Sequence, residues 1–319
     1  MTDLVIGIDL GGTQVRAGLV DKDGTLLRRE ATATHPEEGQ EAVIERMVRL
    51  ARSVCADVGL EKVAAVGIAA PGPVNNHTGV VRLAPNLDGW VDVPLRDIMA
   101  DRLQVPVRVG NDANLAALGE HIFGAGRHID DLIYITVSTG IGGGIITGGR
   151  LLLGQHGYAA EIGHQTVEDS GPRCKCGNIG CLEAVASGTA IAREGRIAVA
   201  RGEDTLLRTL CGGDIWNIDA RMVAEAAEQG DAVAKAIMTQ AGHYLGVGIV
   251  NLLHIFNPRR IIMGGSVMKA GELITWPMWN VINSRAWAMS REDFDIVGAA
   301  LGDNVGILGA AALALGMGG

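Results

Sequence analysis

The sequence predicts an α/β fold made of two related halves, and three observations lead there. Short apolar strands alternate with stretches of helical periodicity along its 319 residues. A strand, glycine turn and returning strand near the start of the chain is repeated in design about 128 residues later. Glycine fills 46 positions and proline only 9, about twice the usual glycine share without low-complexity bias, which implies many tight backbone turns.

Residues 4–10 are an apolar run ending in Gly11-Gly12-Thr13, after which Val15, Ala17 and Leu19 alternate with Gln14, Arg16 and Gly18 as a returning strand. Val43, Met47, Leu50, Val54 and Val58 recur at spacings of three and four, the buried face of a helix that Gly59 ends. Residues 62–70 read as a strand running into Pro71-Gly72-Pro73. Residues 105–109 read as another, running into Gly110-Asn111-Asp112 with a helix from about 113 to 123. The second hairpin is 132–138, the turn Thr139-Gly140-Ile141-Gly142-Gly143-Gly144, then Ile145-Ile146. Helices are expected over 187–201, 219–229 and 231–256, then a strand over 260–263, a helix after Gly265 and a last helix ending near Leu315. Trp276, Trp279 and Trp287 read as packing residues of the penultimate helix.

Charge and composition exclude several functions. Lys and Arg total 27 against 36 Asp and Glu, and a net charge of −9 offers no basic surface to nucleic acid or anionic lipid. A phosphate ligand must then be held locally, by backbone amides and a metal. The longest apolar runs, 244–256 and 305–319, fall short of the roughly 20 residues that span a bilayer. The opening MTDLVIGID lacks the basic region, apolar run and cleavage site of a signal peptide, so a cytoplasmic location is expected.

Candidate chemistry concentrates in a few places. Two glycine hairpins facing one another suit a nucleotide phosphate chain, because amides without side chains can approach its oxygens. His164 with Cys174, Cys176 and Cys181 supplies one imidazole and three thiolates, the donor set of a closed, structural zinc site. Such a site shapes a loop and leaves no position for an activated water, which excludes a zinc-dependent hydrolase. Cys55 and Cys211 are isolated. Asp112, between a strand end and a helix, is either a helix cap or a general base. Asp9 is either a turn former or the carboxylate that holds hydrated Mg²⁺. Glu161 and Glu183, flanking the zinc loop, are surface charges or acceptors of vicinal sugar hydroxyls. Gly264-Gly265-Ser266 is a turn or a second place for backbone amides to meet a nucleotide.

Together these stretches resemble the ROK family of sugar kinases and related repressors, within the actin-like ATPase superfamily, over essentially the whole chain. The resemblance rests on Ile8-Asp-Leu-Gly-Gly-Thr13, Ala69-Ala-Pro-Gly-Pro73, Ala84-Pro-Asn-Leu-Asp-Gly-Trp90 and Asn111-Asp-Ala-Asn114 in the first part of the chain. Ser138-Thr-Gly-Ile-Gly-Gly-Gly144, Glu161-Ile-Gly-His164 and Cys174-Lys-Cys-Gly-Asn-Ile-Gly-Cys-Leu-Glu183 follow in order.

The resemblance implies an actin-like (ribonuclease H-like) two-domain fold with ATP and sugar in the interdomain cleft. A smaller α/β domain would take 1–115 and about 300–319, and a larger one 116–299 with the zinc loop 164–181. It implies an ATP-dependent hexokinase of glucokinase type acting on a 6-hydroxyl, with Asp112 as base. Gly72, Asn111, Asp112, Glu161, His164 and Glu183 would face the sugar. Asp9, Gly11, Gly12, Thr13, Thr139, Gly140, Gly142, Gly264 and Gly265 would meet the nucleotide, with Mg²⁺ on Asp9 through water. One ring nitrogen of His164 would bind zinc and the other face a sugar hydroxyl. A homodimer or homotetramer is implied as well. Gln14 stands where many members carry Lys, and Ala160 where Gly is common. Mannose, N-acetylmannosamine, allose and fructose kinases share the pattern. A sugar-responsive repressor would need a DNA-binding segment ahead of the first hairpin, and none is expected where that hairpin begins at residue 4.

Overall fold

The computed structural model describes residues 4–84 and 86–317; Pro85 of the 84–90 motif and the last two glycines of the C-terminal apolar run lie outside the described residues. The chain forms two compact units, one of Met1–Tyr134, Gly143–Ala160 and Val297–Gly319, the other of Ile135–Gly142 and Glu161–Ile296.

The first unit opens with β1 (Leu4–Leu10), β2 (Gln14–Asp21) and β3 (Leu26–Ala33), followed by α1 (Gln40–Val54), β4 (Val63–Ala70) and a small sheet of β5 (Val74–Asn75), β6 (Val80–Leu83) and β7 (Val91–Val93). Next come α2 (Leu95–Leu103), β8 (Val107–Asn111) and α3 (Asp112–Phe123). The main sheet runs β3-β2-β1-β4-β8, antiparallel across the hairpins and parallel from β1 through β4 to β8. Alternation along β1 serves both faces. Ile6, Ile8 and Leu10 pack with Val43, Ile44, Met47 and Met99 of α1 and α2. Val5 instead joins Ile307, Leu308 and Ala311 of α10 (Val305–Ala314). The expected domain boundary at residue 115 falls inside α3, whose Leu115 and Leu118 share a core cluster with Ala310 and Ala312 of α10.

The strands β9 (Leu132–Val137) and β10 (Ile141–Thr147) pass from one unit into the other, and the second sheet runs β11 (Arg150–Leu151), β10, β9, β12 (Arg260–Gly264), β13 (Asp295–Gly298). Both main sheets thus begin from a three-strand antiparallel edge followed by two later strands, the repeat anticipated in the sequence. The second unit's helices are α4 (Leu182–Ala186), α5 (Gly188–Ala200), α6 (Leu207–Leu210), α7 (Ala220–Glu228), α8 (Ala232–Phe256) and α9 (Glu272–Arg285).

Three expectations need correction. The helix after Gly265 starts only at Glu272, behind a 3-10 segment over Ser266–Ala270. The first helix ends at Val54, and the turn to Gly59 is closed by Gly59 N–H on Cys55 O at 2.8 Å. Trp276 and Trp287 are 66% and 64% exposed rather than packed. The buried stripe of α9 is Ile274, Pro277, Met278, Val281 and Ile282, and Trp276 falls off it.

Glu120 on α3 is a fully buried carboxylate. It accepts the N–H of Ala125 at 2.8 Å and of Leu301 at 2.9 Å, tying the end of α3 to the approach to α10. Glu120→Ala is expected to lower unfolding free energy by about 1–3 kcal/mol in urea titration, because two part-buried donors lose their acceptor. Glu120→Gln, which keeps one amide oxygen, should cost less, and equal losses for the two variants would count against this role.

Candidate functional site

In the first unit the carboxyl ends of β1, β4 and β8 lie side by side. Asp9 pairs with Ala69, Ala69 with Gly110, and Ala70 with Asn111. Asp9 and the Asn111-Asp112 pair therefore sit on one sheet edge, two strand spacings or roughly 10 Å apart. The carboxyl edge of parallel strands is where α/β proteins place ligand contacts.

The helix-capping role at this edge belongs to Asn111, whose side-chain oxygen accepts Asn114 N–H at 3.0 Å. Its Nδ2 donates to Gly72 O at 3.0 Å and to Asp112 Oδ1 at 3.1 Å. Asp112, the first helical residue, accepts Ala113 N–H on the same oxygen at 2.8 Å. Gly72, Asn111 and Asp112 are thereby joined in one hydrogen-bonded group.

Asp9 is half-buried opposite Arg16, its cross-strand partner, with Arg16 Nη1 at 3.5 Å from its Oδ2. Burial pushes the Asp9 carboxyl up from the ordinary carboxylate range, while the Arg16 and Arg29 guanidiniums oppose that shift. Gly306, in the first turn of α10, leaves the space this carboxylate needs, since a Cβ there would meet its oxygens at 2.7 and 2.8 Å. The N-terminus of α10 is thus turned to this half-buried carboxylate. In the adjoining turn Gly11 N–H is engaged by Gln14 O at 3.0 Å, and Thr34 binds Gly11 O and Thr13 O. Gly12 and Thr13 complete this turn.

The second glycine turn is gripped from several sides within its own unit. Ser138 N–H bonds Gly140 O at 2.9 Å across the turn. Gly188 N–H, at the start of α5, reaches Ser138 O at 2.7 Å, and Thr189 binds Thr139 O through its hydroxyl at 2.7 Å and its N–H at 3.2 Å. Ser266 Oγ lies 3.1 Å from Ser138 Oγ, and Gly265, where a Cβ would meet the Val137 backbone, lies against the end of β9. Gly142 continues the turn into β10. Glu183 Oε2 accepts Ile141 N–H at 3.0 Å.

Around the loop, His164 Nδ1 is 3.7 Å from Cys174 Sγ, and Cys176 Sγ is 3.7 Å from Cys181 Sγ. All four donor atoms lie within 4.8 Å of one another. Donors about 2.0–2.3 Å from a central tetrahedral ion would be roughly 3.5–3.8 Å apart, so the set fits a four-coordinate metal. Burial, reinforced by the neighbouring thiols, pushes Cys181 up to about 12, whereas the Asn178 backbone N–H holds Cys176 below the usual thiol range. Three gathered thiols ionise together only if a cation neutralises them. The opposite ring nitrogen, His164 Nε2, faces Glu161 Oε2 at 4.0 Å. Burial raises the Glu161 carboxyl above its ordinary range, the nearby His164 opposes the shift and Glu183 adds to it. Ala160 just before it holds a left-handed φ of 66°, the conformation a glycine takes without strain.

The structure therefore gathers Gly72 with Asn111 and Asp112, the four metal-type donors with Glu161, and the 139–142 turn with Glu183, while Gly265 meets the preceding strand at Val137. The ion-pairing of Arg16 and the hold of Thr189 escaped the sequence reading. Arg16 alone had a readable signal, since pairing outward from the Gly11–Thr13 turn sets it opposite Asp9.

Comparison with known proteins places the chain in a family. The ROK family model matches residues 5–317. The chain is 40% identical over 309 residues to the glucokinase of Thermotoga maritima, covering 97% of this chain and 96% of that one. A crystal structure of a ROK family glucokinase from Streptomyces griseus in complex with glucose and AMPPNP superposes with a TM-score of 0.83 at 39% identity, covering 98% and 99% of the two chains. A putative xylose repressor of Caldicellulosiruptor is 33% identical over 98% of this chain and 78% of its own length. The architecture is the mixed α/β fold of the actin-like ATPases. The chain belongs to the ROK family.

Proposed function

We propose that the chain is an ATP-dependent hexose kinase of glucokinase type, transferring the γ-phosphoryl group of ATP to the 6-hydroxyl of glucose. The observation that carries this reading is the 40% identity with a glucokinase across nearly the full length of both chains. Asp112 takes the proton of the 6-hydroxyl as its oxygen bonds to phosphorus and the bond to the ADP oxygen breaks. Asn111, held on Gly72, fixes the rotamer of Asp112 and binds a ring hydroxyl, and Glu161, His164 and Glu183 bind the others. Asp9 holds Mg²⁺ through water. Backbone amides around Gly11, Gly12, Thr13, Thr139, Gly140, Gly142, Gly264 and Gly265 cradle the nucleotide. In the first turn that task falls to Gly12 and Thr13 more than to Gly11, whose N–H already has Gln14 O.

Zinc on His164, Cys174, Cys176 and Cys181 would supply the charge that lets three thiolates share one loop. His164 Nδ1 then belongs to the metal and Nε2 to the substrate side, where Glu161 lies. The protein works in the cytoplasm as a homodimer or homotetramer. Among the described residues no helix is long and apolar enough to cross a membrane.

A hexose panel with Mg·ATP, followed by ADP release, tests the reading. Glucose should give the highest kcat/KM and mannose, inverted only at carbon 2, the best of the rest. The ranking should be steep, because an unmatched hydroxyl in a buried polar site can cost up to about 10⁴–10⁵. An acetamido sugar preferred over glucose would place the substrate class elsewhere, with the strained Ala160 the first position to exchange for Gly. Tight sugar binding without ADP release would favour the sensing role that the repressor relative suggests.

A further inference from the structure

Glu183 is the one proposed sugar ligand that also touches the glycine turn. Its Oε2 accepts the backbone N–H of Ile141 at 3.0 Å and occupies the space that a side chain on Gly140 would fill. Its other oxygen, Oε1, lies 3.9 Å from Cys174 Sγ. The remaining grips on the turn, from Gly188, Thr189 and Ser266, hold Ser138 and Thr139. Glu183 is the grip on the far side, where the turn enters β10.

We propose that Glu183 is a positioning residue for the nucleotide: by holding Ile141 N–H it sets the path of the Thr139–Ile141 backbone, so that one carboxylate serves sugar and nucleotide through different oxygens. The proposal rests on the reading of this turn as a phosphate site. A hydrogen bond from an amide to a carboxylate is of the stronger kind, and losing it leaves the turn free to adopt other paths. Gly140 is required for the same reason, because a methyl group there and the Glu183 carboxylate cannot share one position.

The test is calorimetric binding of a non-hydrolysable ATP analogue with Mg²⁺, without sugar, to metal-loaded protein of confirmed zinc content. Hydrogen exchange at the Ile141 amide is measured alongside. Glu183→Ala should weaken analogue binding about tenfold or more and speed exchange at Ile141. Glu183→Gln, which keeps an acceptor oxygen, should restore most of both. Gly140→Ala, which changes no residue of the metal loop, should reproduce the alanine phenotype with zinc retained. Wild-type affinity and slow exchange in Glu183→Ala and Gly140→Ala would overturn the positioning role and leave the kinase reading standing. Absence of analogue binding by the wild-type protein would overturn the phosphate site itself, and the proposal with it.

Discussion

Replacing Asp112 by Asn is expected to lower turnover by on the order of 10²–10⁴ while glucose binding changes far less. The substitution keeps size and leaves an oxygen to accept the Ala113 N–H, so the local hydrogen bond at 2.8 Å can persist. The cap of α3 is untouched, because it comes from the Asn111 side chain. A stability loss therefore cannot account for the effect, and thermal unfolding of the variant should match the wild type. Steady-state kinetics with a separate glucose titration checks this. Normal turnover in Asp112→Asn would leave this residue a helix-terminus carboxylate and no more.

The second large effect concerns the metal. Purified, reduced protein should carry one zinc per chain, and its removal by a chelator should abolish sugar binding, since Glu161 and Glu183 flank the loop that the ion would brace. Structural zinc sites in small peptides are worth about 10–16 kcal/mol of apparent binding energy at neutral pH, so partial occupancy is not expected. Cys176→Ser is the most telling variant. Cys176 is the exposed member of the cluster whereas Cys181 is fully buried, so serine at 176 disturbs little packing and reports on ligation. Less than about half an equivalent of zinc in well-folded protein, or a Cys176→Ser protein that keeps both zinc and activity, would contradict the site.

Much of this arrangement was legible before the fold was known, for identifiable reasons. The hairpins around Gly11–Thr13 and Thr139–Gly144 announce themselves because apolar runs stop at glycine clusters, and the four metal-type donors because ligand chemistry needs few residue types at short spacing. The helix at 113–123 was placed almost to the residue by the Gly-Asn-Asp boundary, but which of Asn111 and Asp112 caps it was not, since both types cap equally well. The edge strand β3, Leu26–Ala33, was missed because its exposed face carries Leu27, Arg29, Ala31 and Ala33 and its other face Leu26, Arg28, Glu30 and Thr32, so apolar and polar residues do not alternate. Strands of two to four residues such as β5 and β6 carry no period at all. The hold of Glu183 on Ile141 spans 42 residues and depends on how a loop closes, which no local pattern encodes.

The kinase reading itself is tested most directly by mixing the purified protein with glucose and Mg·ATP carrying a labelled γ-phosphate and identifying the labelled product. The account predicts glucose 6-phosphate and ADP in equal amounts, and no product when Mg²⁺ is withheld. Label released as inorganic phosphate alone, or glucose bound tightly with its 6-hydroxyl left unmodified, would contradict it.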